Sequence, residues 1–335
     1  MDALSEALNS VRMTAALFFD VEFTAPWGFV APPARRVAPV LAPGVEHIVI
    51  FDLITHGKAV ARLEGMADLP LEAGDVVIIP HGDPYKVSNG APTTFRDGAA
   101  TLGRYLAGDV STTRYGGGGE ATNFIYGFFG CERRACRLFL AGLPPIIKVN
   151  IRGDAAGAWL ENSIRHLVTE AASARPGGKV LLSKMAEVLF VEALRRYMEQ
   201  LPPEQTGWLA GARDPVVGAA LAMLHRKPCH KWTLDDLAAE AKSSRSVLVE
   251  RFTRLLGEPP LTYLASWRMQ VAARLLQTTR KTVIELALDV GYESEAAFNR
   301  AFKREFGLPP AQYRKTLAGN GAGAANNASS SQGIE

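Results

Sequence analysis

Apolar residues recur at two periods along this chain, and the change of period divides it. From Val21 to about Asp97 they come in short runs broken by Gly, Pro and Asp. His47-Ile-Val-Ile-Phe-Asp-Leu53, Lys58-Ala-Val-Ala-Arg-Leu63 and Asp75-Val-Val-Ile-Ile-Pro80 are examples. Runs of this length between regular turn signals predict an antiparallel β sandwich or barrel. Ahead of them Leu4, Leu8, Val11, Ala15 and Leu17-Phe18 fall at helical spacing and predict a helix that turns into a strand. Residues 122–129 are aromatic and β-like, and return to the same sheet-rich part. Beyond them the period lengthens. Residues 157–174 and 181–200 predict two amphipathic helices joined by Pro176-Gly-Gly178. Trp159, Ile164, Leu167 and Val168 mark the first apolar face. Leu182, Met185, Ala186, Leu189, Phe190, Ala193, Leu194 and Tyr197 mark the second. The second stripe suits packing on its own sheets or pairing with its twin in a dimer.

The last third is helical and punctuated. Thr282 with Glu285 three residues on is a capping box, so a helix starts there, with Ile284, Leu286, Ala287 and Leu288 as its apolar face. Gly291 follows where a tight turn needs a positive φ. Ser294 caps a second helix carrying Ala297, Phe298, Ala301, Phe302 and Glu305. Gly307 and Pro309-Pro310 end it. Two short helices about a glycine turn make a helix-turn-helix, whose second helix enters the DNA major groove.

The pattern occurs twice. Shifted back by 50 residues, Phe302, Arg304, Gly307, Pro309, Pro310 and Tyr313 fall on Phe252, Arg254, Gly257, Pro259, Pro260 and Tyr263, and Phe298 falls on Leu248. The opening helix matches at a shift of 49, Leu286-Ala287 on Leu237-Ala238, with Thr233, Asp236 and Ser244 as caps. Two copies are too few for a solenoid, and read as one binding module used twice. A duplicated helical hairpin with no nucleic-acid role is the alternative. Residues 261–277 between the copies predict a spacer helix of about 25 Å. With the widths of the modules, it can set two recognition helices about 34 Å apart, one turn of DNA.

Gly291-Tyr-x-Ser-x-x-x-Phe-x-Arg-x-Phe-Lys303, followed by Gly307-x-Pro-Pro-x-x-Tyr-Arg314, resembles the signature of the AraC/XylS family of bacterial transcription regulators. The resemblance implies a two-module DNA-binding domain. One departure is Lys242, where the family usually has Gly, so the first turn is expected to carry strain. Gly74-Asp-Val-Val-Ile-Ile-Pro80-His-Gly82-Asp-Pro-Tyr85 is similar to the second cupin motif, with Tyr85 where metal-binding cupins carry His. The His-x-His motif of those cupins is not visible, and His47 is the nearest candidate, which argues against an enzyme-type metal centre. Pro26-Trp27-Gly28, the 74–85 motif and Leu143-Pro144-Pro145 fall in the order of the family branch whose sensor is a cupin-like barrel. That implies a small-molecule effector in the barrel. His47, His81 and Tyr85 are either a polar rim on its pocket or turn residues satisfying their own hydrogen bonds.

Composition adds bounds. The chain has 335 residues, 47% hydrophobic and 21% charged, which suits two globular domains. Residues 215–317 hold 16 Lys and Arg against 10 Asp and Glu; the remainder holds 21 against 24. The positive excess lies where DNA phosphates would be met. Without an apolar run of membrane length or a signal-peptide pattern, no membrane partner and a cytoplasmic location are expected. The three cysteines are too few for a disulfide framework. Cys131-x4-Cys136 is half of a zinc site or a pair of free thiols. Gly116–Gly119 precedes no Lys-Ser/Thr and is no P-loop. No Ser-His-Asp or paired-carboxylate arrangement can be assigned, so no cofactor and no enzymatic activity are expected. An enzyme built on the barrel and an architectural DNA binder are the rivals.

The sequence therefore predicts an α+β chain. A cupin-like antiparallel barrel with flanking helices occupies 1–200, a linker 201–214, a double helix-turn-helix 215–317, and a disordered tail 318–335. Arg245, Ser246, Val249 and Glu250 on the first recognition helix, and Glu295, Ala296, Asn299 and Arg300 on the second, are expected to face bases, with Val247, Leu248 and Phe252 pointing inward. Arg offers two donors to guanine, and Asn suits adenine. Arg251, Lys303, Arg304 and Arg314 are expected at phosphates. The partners expected are promoter DNA, RNA polymerase, an effector and a second copy of the chain.

Overall fold

A computed structural model gives the fold and describes residues 2–8, 13–41, 47–92, 94–99, 113–131, 140, 142–173 and 175–316. Cys136 and the tail from 317 lie outside the described residues, as does the side chain of Cys131. The fold is mixed α and β, with the strands in the N-terminal part and the helix-turn-helix copies at the other end. Among the described residues, no helix is long and apolar enough to cross a membrane.

The chain forms two compact units. The sheet-bearing unit contains β1 (Met13–Thr24), β2 (Trp27–Ala31), α2 (Ala34–Leu41), β3 (His47–His56), β4 (Lys58–Leu63), β5 (Leu69–Glu72), β6 (Asp75–Ile79), β7 (Tyr85–Asn89), β8 (Arg96–Asp97), β9 (Thr113–Gly116), β10 (Ala121–Cys131) and β11 (Ile147–Asn150). It closes with α3 (Ala155–Ser173) and α4 (Gly178–Gln200). Ahead of β1 lies α1 (Ala3–Leu8), which clusters with the other unit. One sheet runs β11-β6-β3-β10-β1-β9 and the other β5-β4-β7-β2-β8. Their ladders are antiparallel apart from two short parallel pairs, β1 with β9 and β2 with β8, where an antiparallel arrangement was expected.

Strand period builds the core. Phe19, Val21 and Phe23 of β1, Ile48, Ile50 and Ile54 of β3, and Phe124, Tyr126 and Phe128 of β10 share one face. They meet Trp27 and Ala31 of β2 and Tyr85 and Val87 of β7 from the second sheet. The intervening residues Phe18, Phe51 and Phe129 form an aromatic cluster on the opposite face. α3 and α4 pack against β1, β10 and β11. With both faces covered, β3 reads as an almost continuous apolar run.

Two expectations are corrected here. β1 begins at Met13, so Ala15 and Leu17-Phe18 lie on a strand, because the ladder with β10 outweighs their helical spacing. Trp159 is 51% exposed, and α3 buries Leu160 in its place, together with the expected Ile164 and Leu167.

The second unit holds α5 (Trp208–Arg213), α6 (Pro215–Arg226), α7 (Leu234–Glu240), α8 (Arg245–Leu256), α9 (Pro260–Thr278), α10 (Val283–Asp289) and α11 (Glu295–Phe306), then a helical turn over 310–316. α1 packs on α6, and Glu6 pairs with Arg226 at 3.2 Å. The stretch read as a linker contains α5, whose Trp208 and Leu209 are buried in this unit. The Asp214 carboxylate accepts from the Val216 and Val217 amides at 2.9 and 3.0 Å, capping α6. Trp208 Nε1 donates to Tyr263 Oη at 3.0 Å, and His225 stacks on Trp267 with ring centroids 3.9 Å apart. Burial holds the His225 imidazole far below its ordinary pKa, at about 3, so it is neutral in this stack.

Candidate nucleic-acid interface and ligand cavity

The two helix-turn-helix copies are built by the same local chemistry. α7 and α10 both open on capping boxes, Thr233 with Asp236 and Thr282 with Glu285. α8 and α11 run twelve residues each from Ser244 and Ser294 to the left-handed glycines Gly257 and Gly307. Each cap contributes about 1 kcal/mol. Phe252 and Phe302 are fully buried at equivalent places, as are Leu248 and Phe298. The turns differ as the sequence indicates: φ is +85° at Gly291 and +52° at Lys242, a conformation costly for a residue with a Cβ.

The copies are also tied together. α9 spans nineteen residues between them, about 28 Å of helix. Its Arg268 donates to the carbonyls of Pro228 at 2.7 Å and His230 at 2.9 Å, in the loop before α7. That loop lies against the second turn: a Cβ on Gly291 would come within 2.8 Å of the Cys229 carbonyl oxygen. Lys231 pairs with Glu293 across the same seam. These contacts fix the relation of the two copies.

A cavity of about 530 Å³, counted with the open space at its mouth, lies between the two sheets. Phe19 and Phe23 of β1, Phe29 of β2, Phe124 of β10 and Val87 of β7 supply most of its apolar wall. Its polar end is made by Asp52, Tyr85 and Tyr126, all buried. Asp52 and Tyr126 are direct cross-strand partners on β3 and β10. Tyr85 reaches from the opposite sheet and donates to Asp52 Oδ2. Asp52 Oδ1 has no hydrogen-bond partner among the described residues, and the Tyr126 hydroxyl lies beside that of Tyr85. Burial raises the Asp52 carboxyl pKa to about 7, the Tyr85 hydrogen bond opposing it. Burial and then the Asp52 charge push both tyrosines well above their ordinary range.

A second buried carboxylate shows what a purely structural one looks like. Asp75 accepts from the Glu72 amide at 2.8 Å and Asn150 Nδ2 at 2.9 Å, and pairs with Lys148 Nζ at 3.0 Å. Asp52 has one partner and an orphaned oxygen, a deficit of roughly 1–3 kcal/mol for a buried polar group.

Comparison with known proteins supplies the family. A profile described as Cupin matches residues 2–199, and one described as Helix-turn-helix domain matches residues 237–316. An AraC-like transcription regulator of Streptomyces lividans is 34% identical over 270 residues, 80% of this chain and 87% of that one. The chain belongs to the AraC family of transcription regulators. An AraC-like regulator of Streptomyces antibioticus is 33% identical over 272 residues, 80% of this chain and 87% of its own length. The regulator AlkR of Acinetobacter baylyi is 28% identical over 322 residues, 94% of this chain and 99% of its own length. This regulator is thus a DNA-binding protein with a cupin domain ahead of its helix-turn-helix modules.

The AraC-type modules leave many of the sequence-predicted residues at the surface. Arg245, Ser246, Glu250, Glu295, Ala296 and Arg300 are exposed, and Val249 and Asn299 half-buried. Val247, expected to point inward, is 36% exposed: it sits in the first turn of α8, beside the buried Leu248. Ile284 and Leu288 are likewise exposed, and α10 buries Leu286 and Ala287 alone of its expected face. Lys303 and Arg304 are exposed on the last turn of α11. Arg251 is engaged with the Asp214 cap at 3.3 Å. Arg314 donates to the Lys281 carbonyl at 2.6 Å, so it holds the segment entering α10.

In the cupin unit, Tyr85 lines the cavity, whereas His47 and His81 do not. His47 Nε2 lies 2.6 Å from the Pro80 carbonyl oxygen and serves the loop after β6. Sequence reasoning missed Asp52 and Tyr126. The available signal was Asp52 itself, a lone carboxylate in the middle of an apolar strand. The described residues contain no cluster of three or more His, Cys, Asp or Glu able to hold a metal ion.

Proposed function

We propose that this AraC-type regulator is controlled by a small molecule bound between its two sheets, which act as a cupin-like barrel. The observation that carries the reading is the aromatic cavity ending in an under-satisfied Asp52–Tyr85–Tyr126 group. Its lining suits a small-molecule site, apolar with a few convergent polar atoms. Residues up to about 200 supply the sensor and 215–317 the reader, joined through 201–214. Bound to a promoter, the protein acts in the cytoplasm.

On DNA, the first turns of α8 and α11 present Arg245, Ser246, Val249 and Glu250, and Glu295, Ala296, Asn299 and Arg300, to successive major grooves. Lys303 and Arg304 meet phosphates, and Arg251 does so on leaving Asp214. Arg314 acts in place, by holding α10. Trp159 and the exposed Val180, Leu181 and Val188 of α3 and α4 supply apolar surface for a homodimer. Ile284 and Leu288 give RNA polymerase an apolar contact on α10.

The test compares the full chain with Val87→Trp, which fills the cavity. Melting and promoter occupancy are measured with fractions of a low-molecular-weight cell extract. A fraction that raises the melting temperature and changes occupancy in the parent chain, and does neither in the variant, is the expected result. No active fraction, together with unchanged occupancy in the variant, overturns the effector reading.

A further inference from the structure

The chemistry of the cavity narrows its ligand. The wall is apolar and aromatic, and the polar end offers one unused carboxylate oxygen beside the Tyr126 phenol. A carboxylate accepts hydrogen bonds and attracts positive charge; it repels an anion. Among the described residues, no Lys or Arg lines the cavity to receive an acid. Phe19, Phe23, Phe29 and Phe124 surround the apolar part, and aromatic faces attract cations. Tyr85 fixes the carboxylate by donating to Oδ2, which leaves Oδ1 as the acceptor for a guest.

Resting on the effector reading above, we infer that the ligand is a hydrophobic amine, its ammonium group bound by Asp52 and Tyr126 and its apolar body held by the phenylalanines. The ammonium donates one hydrogen to Asp52 Oδ1 and one to Tyr126 Oη. Tyr85 keeps its own bond throughout. The guest charge replaces what the buried carboxylate lacks: Asp75 has its Lys148, and Asp52 has no cation of its own among the described residues of the cavity wall. A neutral alcohol supplies one hydrogen bond and no charge, so it binds more weakly. An acid of the same shape is excluded.

Protonation gives an independent readout. The titratable groups facing Asp52 are Tyr85 from β7 and Tyr126 from β10, and both stay protonated near neutrality. Asp52, with its carboxyl near pH 7, loses a proton as the ammonium arrives. Amine affinity therefore rises with pH below about 7, by up to about tenfold per unit, and levels off above it.

The experiment is calorimetry on the full chain with phenethylamine, phenethyl alcohol and phenylacetate, probes of one shape and three charge types. The expected order is amine over alcohol by about tenfold or more, with no binding of the acid. Asp52→Asn is expected to remove that preference while leaving the alcohol within about threefold. Should this variant fail to fold, the pH dependence in the parent chain decides: a rise for the amine alone supports the inference, and equal or flat profiles overturn it. Alcohol or acid binding at least as tightly as the amine overturns the amine inference and leaves the effector reading standing. No binding of any probe overturns the amine inference. The extract assay above then decides the effector reading separately.

Discussion

α8 and α11 run the same twelve residues from a serine cap to a left-handed glycine, yet they present different side chains to solvent. On α8, Arg245 lies 3.8 Å from Asp235, and Arg251 holds the Asp214 cap. On α11, Arg300, Lys303 and Arg304 are exposed, with no ion pair among the described residues. The frame is repeated because caps, turns and core phenylalanines set it locally. The reading surface diverges because nothing in that frame constrains it. On the proposed reading, the first copy trades these ion pairs for DNA, whereas the exposed cations of α11 have no such pair to give up. Binding energy and sequence discrimination are expected to lean on the second copy.

The most severe perturbations should be blind to this difference. Phe252→Ala and Phe302→Ala each remove a fully buried ring from an equivalent place, and each should cost about 3–5 kcal/mol in chemical denaturation. A large loss at one site and a small one at the other would mean that the frames are not equivalent.

Acid should separate the copies. His225 is buried and neutral beneath the first, with its pKa at about 3 instead of the ordinary 6.5. The unfolded chain binds the proton first. Stability is therefore full above about pH 6.5 and falls as pH drops toward 3, by about 1.4 kcal/mol per unit. The core of the second copy, built on Met269, Leu286, Phe298, Phe302 and Tyr313, holds no histidine or carboxylate. Histidine-resolved titration with melting at each pH checks this, and His225→Phe should flatten the dependence.

DNA binding should show the asymmetry directly. Arg300→Ala is expected to lose about 1–3 kcal/mol on a selected site and little on random duplex. Arg245→Ala should lose less, since its charge is shared with Asp235. Equal losses on both duplexes would reassign Arg300 to phosphate. The turns give the smallest effect: Lys242→Gly should stabilise by about 1 kcal/mol and Gly291→Ala should destabilise by at least that much. The second loss includes the clash with the Cys229 carbonyl.

These contrasts also show what is legible in a sequence. The helix-turn-helix copies could be read closely because their signals are local. Thr282 with Glu285, Ser294, Gly291 and Gly307 each state a backbone requirement at their own position. Even the departure at Lys242 is visible as a positive φ. What failed was the direction of single side chains at helix starts, as at Val247, Ile284 and Trp159, where an apolar residue lies beside the face that packs. The cavity was harder still. Tyr85 was found through a motif, but its partner Asp52 sits on another strand and Tyr126 on a third, joined only by sheet register. The histidines drew attention as chemically versatile residues, yet His47 is engaged by a loop carbonyl.

The central claim is that two recognition helices, set by one rigid spacer helix, read neighbouring turns of one duplex. Hydroxyl-radical footprinting of the full chain on a site selected from random sequence tests it most directly. Two protected stretches on the same face of the duplex, about 34 Å apart, are the predicted result, and Arg300→Ala should weaken the one under α11. A single protected stretch, or two on opposite faces, would contradict it.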